Sequence, residues 1–214
     1  VALKISPADF ASLLCSRLCH DLLSPVGALN NGLELLADEH DPAMRARCVE
    51  LLNDSARASA NKLKFFRLAF GAAGGFGDMI DPREAKAAIE GLFADKHRVT
   101  LGWFVDAPSL PKPAVKVLLN LALIAGDALV RGGQLDIGAE ATGDAIEIVV
   151  RADGDRIVLD DEMRGALAGD SEMMTPRAAA ACLVHALVTE IGGELQVSPP
   201  DMPVLLFGAS FATR

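Results

Sequence analysis

The sequence predicts an α+β protein: an N-terminal αα-hairpin that forms a dimeric four-helix bundle, followed by a mixed helix-and-sheet domain. Three observations carry this. Apolar residues recur every three or four positions from Phe10 to Phe70, a glycine-rich break runs from Gly71 to Gly77, and beyond it the pattern alternates between helical and strand-like periods.

In the first part, Phe10, Leu14, Leu18, Leu22, Val26, Leu29, Leu33 and Leu36 form the stripe of one long amphipathic helix. Asp41-Pro42 reads as an N-cap with a first-turn proline, and a second helical pattern runs from there to Phe70, ahead of Gly71. Two such helices cannot bury a continuous stripe by themselves, so a second copy is expected to complete the bundle. After the break, residues 82–93 read as helix, 98–105 as strand and 113–130 as helix, with Pro108, Pro111 and Pro113 bounding the loop that leads into it. Residues 134–141 and 145–152 read as strands joined through Thr142-Gly143-Asp144. Helices over 160–167 and 176–191 follow, and strands over 194–197 and 204–211 close the chain around Ser198-Pro199-Pro200-Asp201. The expected domains are residues 1–75 and 79–214, the second with helices on one face of a mixed sheet.

Composition narrows the function classes. The 214 residues carry a net charge of −9 and no cluster of Lys and Arg, which excludes a nucleic-acid binder that must neutralise phosphates. No apolar run is long enough to cross a membrane, because Lys116, Asn120 and Asp127 break the richest segment. With no targeting pattern at the N-terminus, a cytoplasmic protein is expected. The mean hydropathy of +0.30 points to apolar surface shared between subunits. Cys15, Cys19, Cys48 and Cys182 show no CxxC spacing and read as reduced core thiols; Cys15 and Cys19, at i and i+4, are the only hint of half a metal site, and no metal is expected.

One histidine stands out. On a wheel of about 100° per residue, His20 falls about 200° from Leu18, on the polar face with Ser16, Arg17, Ser24 and Asn31. Asp21 follows it, and Pro25 lies four residues beyond Asp21 inside the helical pattern. That proline deprives the Asp21 carbonyl of its helical donor and loosens the turn beside His20. An exposed imidazole is a competent nucleophile toward phosphorus near neutral pH, and an adjoining carboxylate can orient it. Asp21 reads equally as that orienting group or as an exposed carboxylate; Arg17 reads as a phosphoryl contact or as a solvated arginine. Ser16, Arg17, Ser24 and Asn31 would line a docking face. His40, His97 and His185 lack the flanking pattern and are assigned to structure or solvent.

The run Ser16-Arg17-Leu18-Cys19-His20-Asp21-Leu22-Leu23-Ser24-Pro25 resembles the phosphoacceptor box of bacterial histidine kinases, in which an acidic residue follows the histidine and a proline comes four residues after it. The second part resembles the same family's ATP-binding domain in layout: a helix with Asn120, Gly132-Gly133 and two strands, Ala152-Asp153-Gly154, and a helix ending in Gly192-Gly193. The family's nucleotide residues are missing. Ile124 stands where a magnesium-coordinating asparagine belongs, Ala152 and Arg156 replace the adenine-recognising aspartate and a glycine of its motif, and Ala178 to Ala181, with Ala178 and Ala180 at the glycine positions, replace the Gly-x-Gly lid.

A kinase-like chain with an intact histidine box and a ruined nucleotide site is similar to the ChpT-type histidine phosphotransferases of alphaproteobacteria. The resemblance implies a dimeric hairpin carrying a phosphohistidine, a second domain that binds no ATP and supports docking, and no cofactor of its own, Mg2+ being held by the partner receiver domain. It further implies receipt of phosphoryl groups from the receiver of a CckA-type hybrid kinase and delivery to CtrA-type and CpdR-type response regulators. An ATP-dependent histidine kinase and a non-catalytic dimeric scaffold or kinase regulator are the alternatives.

Overall fold

The computed structural model describes residues 5–71, 78–96, 98–143, 145–170 and 175–212. His97, Asp144 and positions 72–77 of the glycine-rich break lie outside the described residues.

Helix α1 (Pro7–Asp38) and helix α2 (Pro42–Phe70) pack side by side as the hairpin. Each begins with a polar cap followed at once by proline: Ser6 accepts a hydrogen bond from the Asp9 amide at 3.1 Å and Asp41 from the Met44 amide at 2.9 Å. The same device opens α3 (Pro82–Phe93), where Asp81 accepts from the Arg83 amide at 2.8 Å. A cap of this kind contributes about 1 kcal/mol, and proline at the first helical position loses no bond because its missing N–H would be unpaired anyway. Gly32 is buried where α1 meets α2; a Cβ there would come within 2.9 Å of Leu52 Cδ2, so that side chain would have to shift.

The second part is a five-stranded sheet in the order β2 (Val99–Val105), β4 (Gly133–Thr142), β5 (Ala145–Asp153), β7 (Leu205–Ala212), β6 (Glu194–Val197). The β2–β4 pair is parallel and the rest antiparallel, the mixed sheet expected from the alternating patterns. Leu135, Ile137, Ile146, Ile148, Val150 and Phe207 point inward, against α4 (Lys112–Ala128) and α6 (Ala179–Glu190). Helix α5 (Asp161–Ala168) packs on α6. The core does not stop at the hairpin: Phe65, Phe66, Leu68 and Ala69 from the last turns of α2 belong to the same buried cluster as α4 and the sheet.

Several expectations shift. A two-residue strand β1 (Met79–Ile80) pairs antiparallel with β3 (Leu110–Pro111), where the proline-bounded segment was expected to be loop. The helix expected from residue 176 opens with a single 3-10 turn, Pro176–Ala178, before α6. The remaining boundaries move by one or two residues. The cysteines are corrected more substantially. Cys182 is buried, and burial pushes its thiol up to about 11, but Cys15 and Cys19 are exposed and Cys48 is half-buried. Pro25 and Gly32 mark the side of α1 that α2 covers. Cys15 and Cys19 lie on the side it leaves open.

Candidate phosphoacceptor site

Helix α1 continues without a break across Pro25, which is itself buried. The backbone bond that the proline forfeits is replaced from outside: Lys62 on α2 donates its ammonium to the Asp21 carbonyl oxygen at 2.7 Å. The orphaned acceptor therefore has a charged donor, and the turn that bears His20 is fixed to its neighbour helix.

The His20 side chain is 85% exposed, with Nδ1 3.3 Å from Asp21 Oδ1. A ring whose Nδ1–H faces a carboxylate carries its free lone pair on Nε2. Asp21 is no free surface carboxylate, since its side chain is only 19% exposed and its Oδ2 accepts from Arg17 Nε at 2.7 Å. Arg17 in turn donates through Nη2 to Asp127 Oδ2 at 2.9 Å, and Lys96 donates to Asp127 Oδ1 at 2.9 Å. Charges alternate along this chain of contacts, from Asp21 through Arg17 and Asp127 to Lys96. Burial would lower the Arg17 pKa, but the facing Asp127 and Asp21 outweigh it and hold the guanidinium above its ordinary value. Burial alone would raise Asp127; Lys96 and Arg17 together bring it below the ordinary carboxylate value.

Ser16, Ser24 and Asn31 are exposed on α1 with His20, as the wheel places them. Arg17 is a correction. It sits on the expected side of the helix, but the end of α4 lies against that point, so its side chain is 11% exposed and both ends of its guanidinium are occupied. It presents no free cation to a phosphoryl group or a partner. Leu23, one turn after His20 and 69% exposed, is an apolar neighbour that sequence reading passed over. It also passed over Lys62, Lys96 and Asp127; Asp127 carried one local signal, an acidic residue interrupting an apolar segment.

In the second domain Ile124, Ala152, Ala178 and Ala180 are all buried in the core, and Arg156 is exposed. Asn120 is fully buried and donates to the carbonyls of Lys116 at 2.8 Å and Ala69 at 3.2 Å, joining α4 to the end of α2. These bonds use only its Nδ2; its Oδ1 is buried with no hydrogen-bond partner among the described residues. His185 Nδ1 lies 3.1 Å from the Leu167 carbonyl, a contact between α6 and α5 consistent with a structural histidine.

The mycobacterial sensor histidine kinase MprB resembles part of this chain in fold, superposing with a TM-score of 0.50 at 16% identity over 65% of this chain and 99% of that one. A structure described as a bacterial phosphotransferase superposes far better, with a TM-score of 0.84 at 31% identity over 96% of this chain and 98% of that one. Residues 82–202 match the family described as histidine phosphotransferase C-terminal domain. The protein phosphotransferase ChpT of Brucella abortus (strain 2308) is 43% identical over 155 residues, 70% of each chain. The chain therefore belongs to the ChpT-type histidine phosphotransferase family, proteins that carry phosphoryl groups in relays between histidine kinases and response regulators.

Proposed function

We propose that His20 is the phosphoacceptor. Nε2 attacks the aspartyl phosphate of a receiver domain; the N–P bond forms as the P–O bond to the receiver carboxylate breaks. The resulting imidazolium keeps its Nδ1 proton toward Asp21, and a second receiver's aspartate then takes the phosphoryl group by the reverse displacement. Both steps are in-line and depend mainly on positioning and charge neutralisation. The observation that carries this is the exposed His20 ring with Nδ1 3.3 Å from Asp21 Oδ1. Magnesium would be held in the acidic pocket of the receiver.

Partner contacts would fall on Ser16, Ser24, Asn31 and the exposed Leu23, so docking would depend more on helix contacts than on long-range attraction from a chain of net charge −9. A CckA-type hybrid kinase receiver as donor, and CtrA-type and CpdR-type regulators as acceptors, are the partners that kinship with ChpT favours. Exposed apolar residues on both hairpin helices, among them Val26, Leu33, Val49, Leu51 and Leu63, support pairing with a second copy. The buried apolar residues Ile124, Ala152, Ala178 and Ala180 at four of the nucleotide positions support transfer without ATP.

Incubation with a phosphorylated receiver, in the absence of ATP, tests the assignment. Acid-labile, base-stable label should move to this chain and be lost to background in His20→Ala. Label transfer that persists in that variant would place the acceptor elsewhere.

A further inference from the structure

The chain of charges from His20 ends outside the hairpin. Asp127 occupies the last turn of α4 and Lys96 the segment after α3, both in the second domain, while Arg17 and Asp21 belong to α1. Resting on the assignment of His20 as acceptor, we infer that Asp127 is a positioning residue for phosphotransfer. Through Arg17 it fixes the Asp21 carboxylate, and through that carboxylate the tautomer and orientation of the His20 ring. The second domain is then part of the transfer site as well as a docking support.

The geometry makes each link necessary. Asp21 has two oxygens, one toward His20 Nδ1 and one accepting from Arg17 Nε at 2.7 Å. Which oxygen faces the ring therefore depends on where the guanidinium sits. Arg17 is a planar fork whose Nη2 is taken by Asp127, so the guanidinium is clamped between two carboxylates on different elements. Lys96 secures the other Asp127 oxygen and lies 5.1 Å over the Phe93 ring, which ties this end of the chain to α3. Lys62 holds the Asp21 backbone independently, so the part left for Arg17 and Asp127 to determine is the side chain. Without Asp127 the guanidinium keeps one anchor and can swing across both Asp21 oxygens, drawing the carboxylate away from Nδ1. The ring then loses its preference for the Nδ1–H tautomer and samples orientations in which Nε2 is misdirected; displacements of this size cost on the order of tenfold to a hundredfold in rate.

Asp127 and Lys96 line an open cleft of about 420 Å3, so shortening or neutralising them does not overpack the core. Asp127→Asn should slow label transfer from a phosphorylated receiver on the order of tenfold. It should also move the nitrogen-15 resonances of the His20 ring toward a mixture of tautomers. Asp127→Glu, which keeps the carboxylate, should restore much of both, and Lys96→Gln should give the smaller loss. Normal transfer by folded Asp127→Asn would overturn the inference, as would slowed transfer with an unchanged His20 spectrum, which would mark a purely structural salt bridge. Failure of the acceptor assignment is distinguished by His20→Ala, which must abolish transfer in the same assay before the Asp127 series is read.

Discussion

Helix α1 and helix α4 bury their residues to opposite extents. Two of the 32 residues of α1 are buried, Pro25 and Gly32, whereas 13 of the 17 residues of α4 are. Both helices are apolar, so composition does not separate them. What differs is what surrounds them: α4 lies between the sheet and the helices α2 and α6, while α1 is covered chiefly by α2. Burial around α4 also encloses Asn120, whose Nδ2 donates to two carbonyls while its Oδ1 has no hydrogen-bond partner among the described residues. On α1 the exposed surface is where an imidazole can meet another protein. The fold thus uses one apolar helix as the interior of a scaffold and leaves the other largely exposed, with Asp127 at the end of the first touching Arg17 on the second.

The contrast is broken most severely at the point where the two regions share a core. Phe65 is fully buried on α2, meets Phe66 edge-on with ring centroids 5.9 Å apart, and lies in one cluster with α4. Phe65→Ala should cost about 3–5 kcal/mol, read as a lowered midpoint in denaturant. Because the cluster is continuous, hairpin and sheet should unfold in one transition. Two resolved transitions in the wild-type protein would show that the hairpin is an independent unit.

A smaller effect is expected on the open side. Paired Val26→Glu and Leu33→Glu substitutions put charge on residues that are 44% and 56% exposed in the single chain. Stability of the single chain should change little, since such surface positions usually fall within about 0.5 kcal/mol. The apolar stripe should instead stop pairing, and sedimentation velocity should report a monomer where the wild type gives a dimer. A wild type that sediments as a monomer would remove the pairing proposed for these helices.

What the sequence reveals about these two regions follows from the range of the forces involved. The starts of α1, α2 and α3 are legible because Ser6-Pro7, Asp41-Pro42 and Asp81-Pro82 act within one turn. Periodicity over a dozen residues likewise places α4, β4, β5 and β7. The β1–β3 pair escapes because a two-residue strand has no period, and its partner lies across α3 and β2. At the site, the exposure of His20 is legible from one helix wheel. The environment of Arg17 is not, because its second carboxylate is 110 positions away and reaches it only when the domain closes against the hairpin. Cys15 and Cys19 fail for the converse reason: an apolar neighbourhood in sequence identifies a stripe without saying whether anything covers it.

The gentlest perturbation acts on the contact between the two regions. The Asp127 carboxyl is held below its ordinary value of 3.8 because Lys96 and Arg17 outweigh the opposing effect of burial. A carboxylate with a depressed folded pKa stabilises the folded state fully above the unfolded value and loses that contribution as pH falls through the folded one. The stability difference between wild type and Asp127→Asn should therefore be flat from about pH 5 to 8 and should close as the pH drops below 3.8, the ordinary value. With the Asp127 side chain 39% exposed, solvent screens the pair, and the plateau should be under about 1 kcal/mol and shrink further in high salt. Urea unfolding of both proteins across that pH range measures it. A difference that instead grew in acid would mean that the folded carboxyl binds its proton more tightly than the unfolded one, and that Lys96 and Arg17 do not outweigh burial.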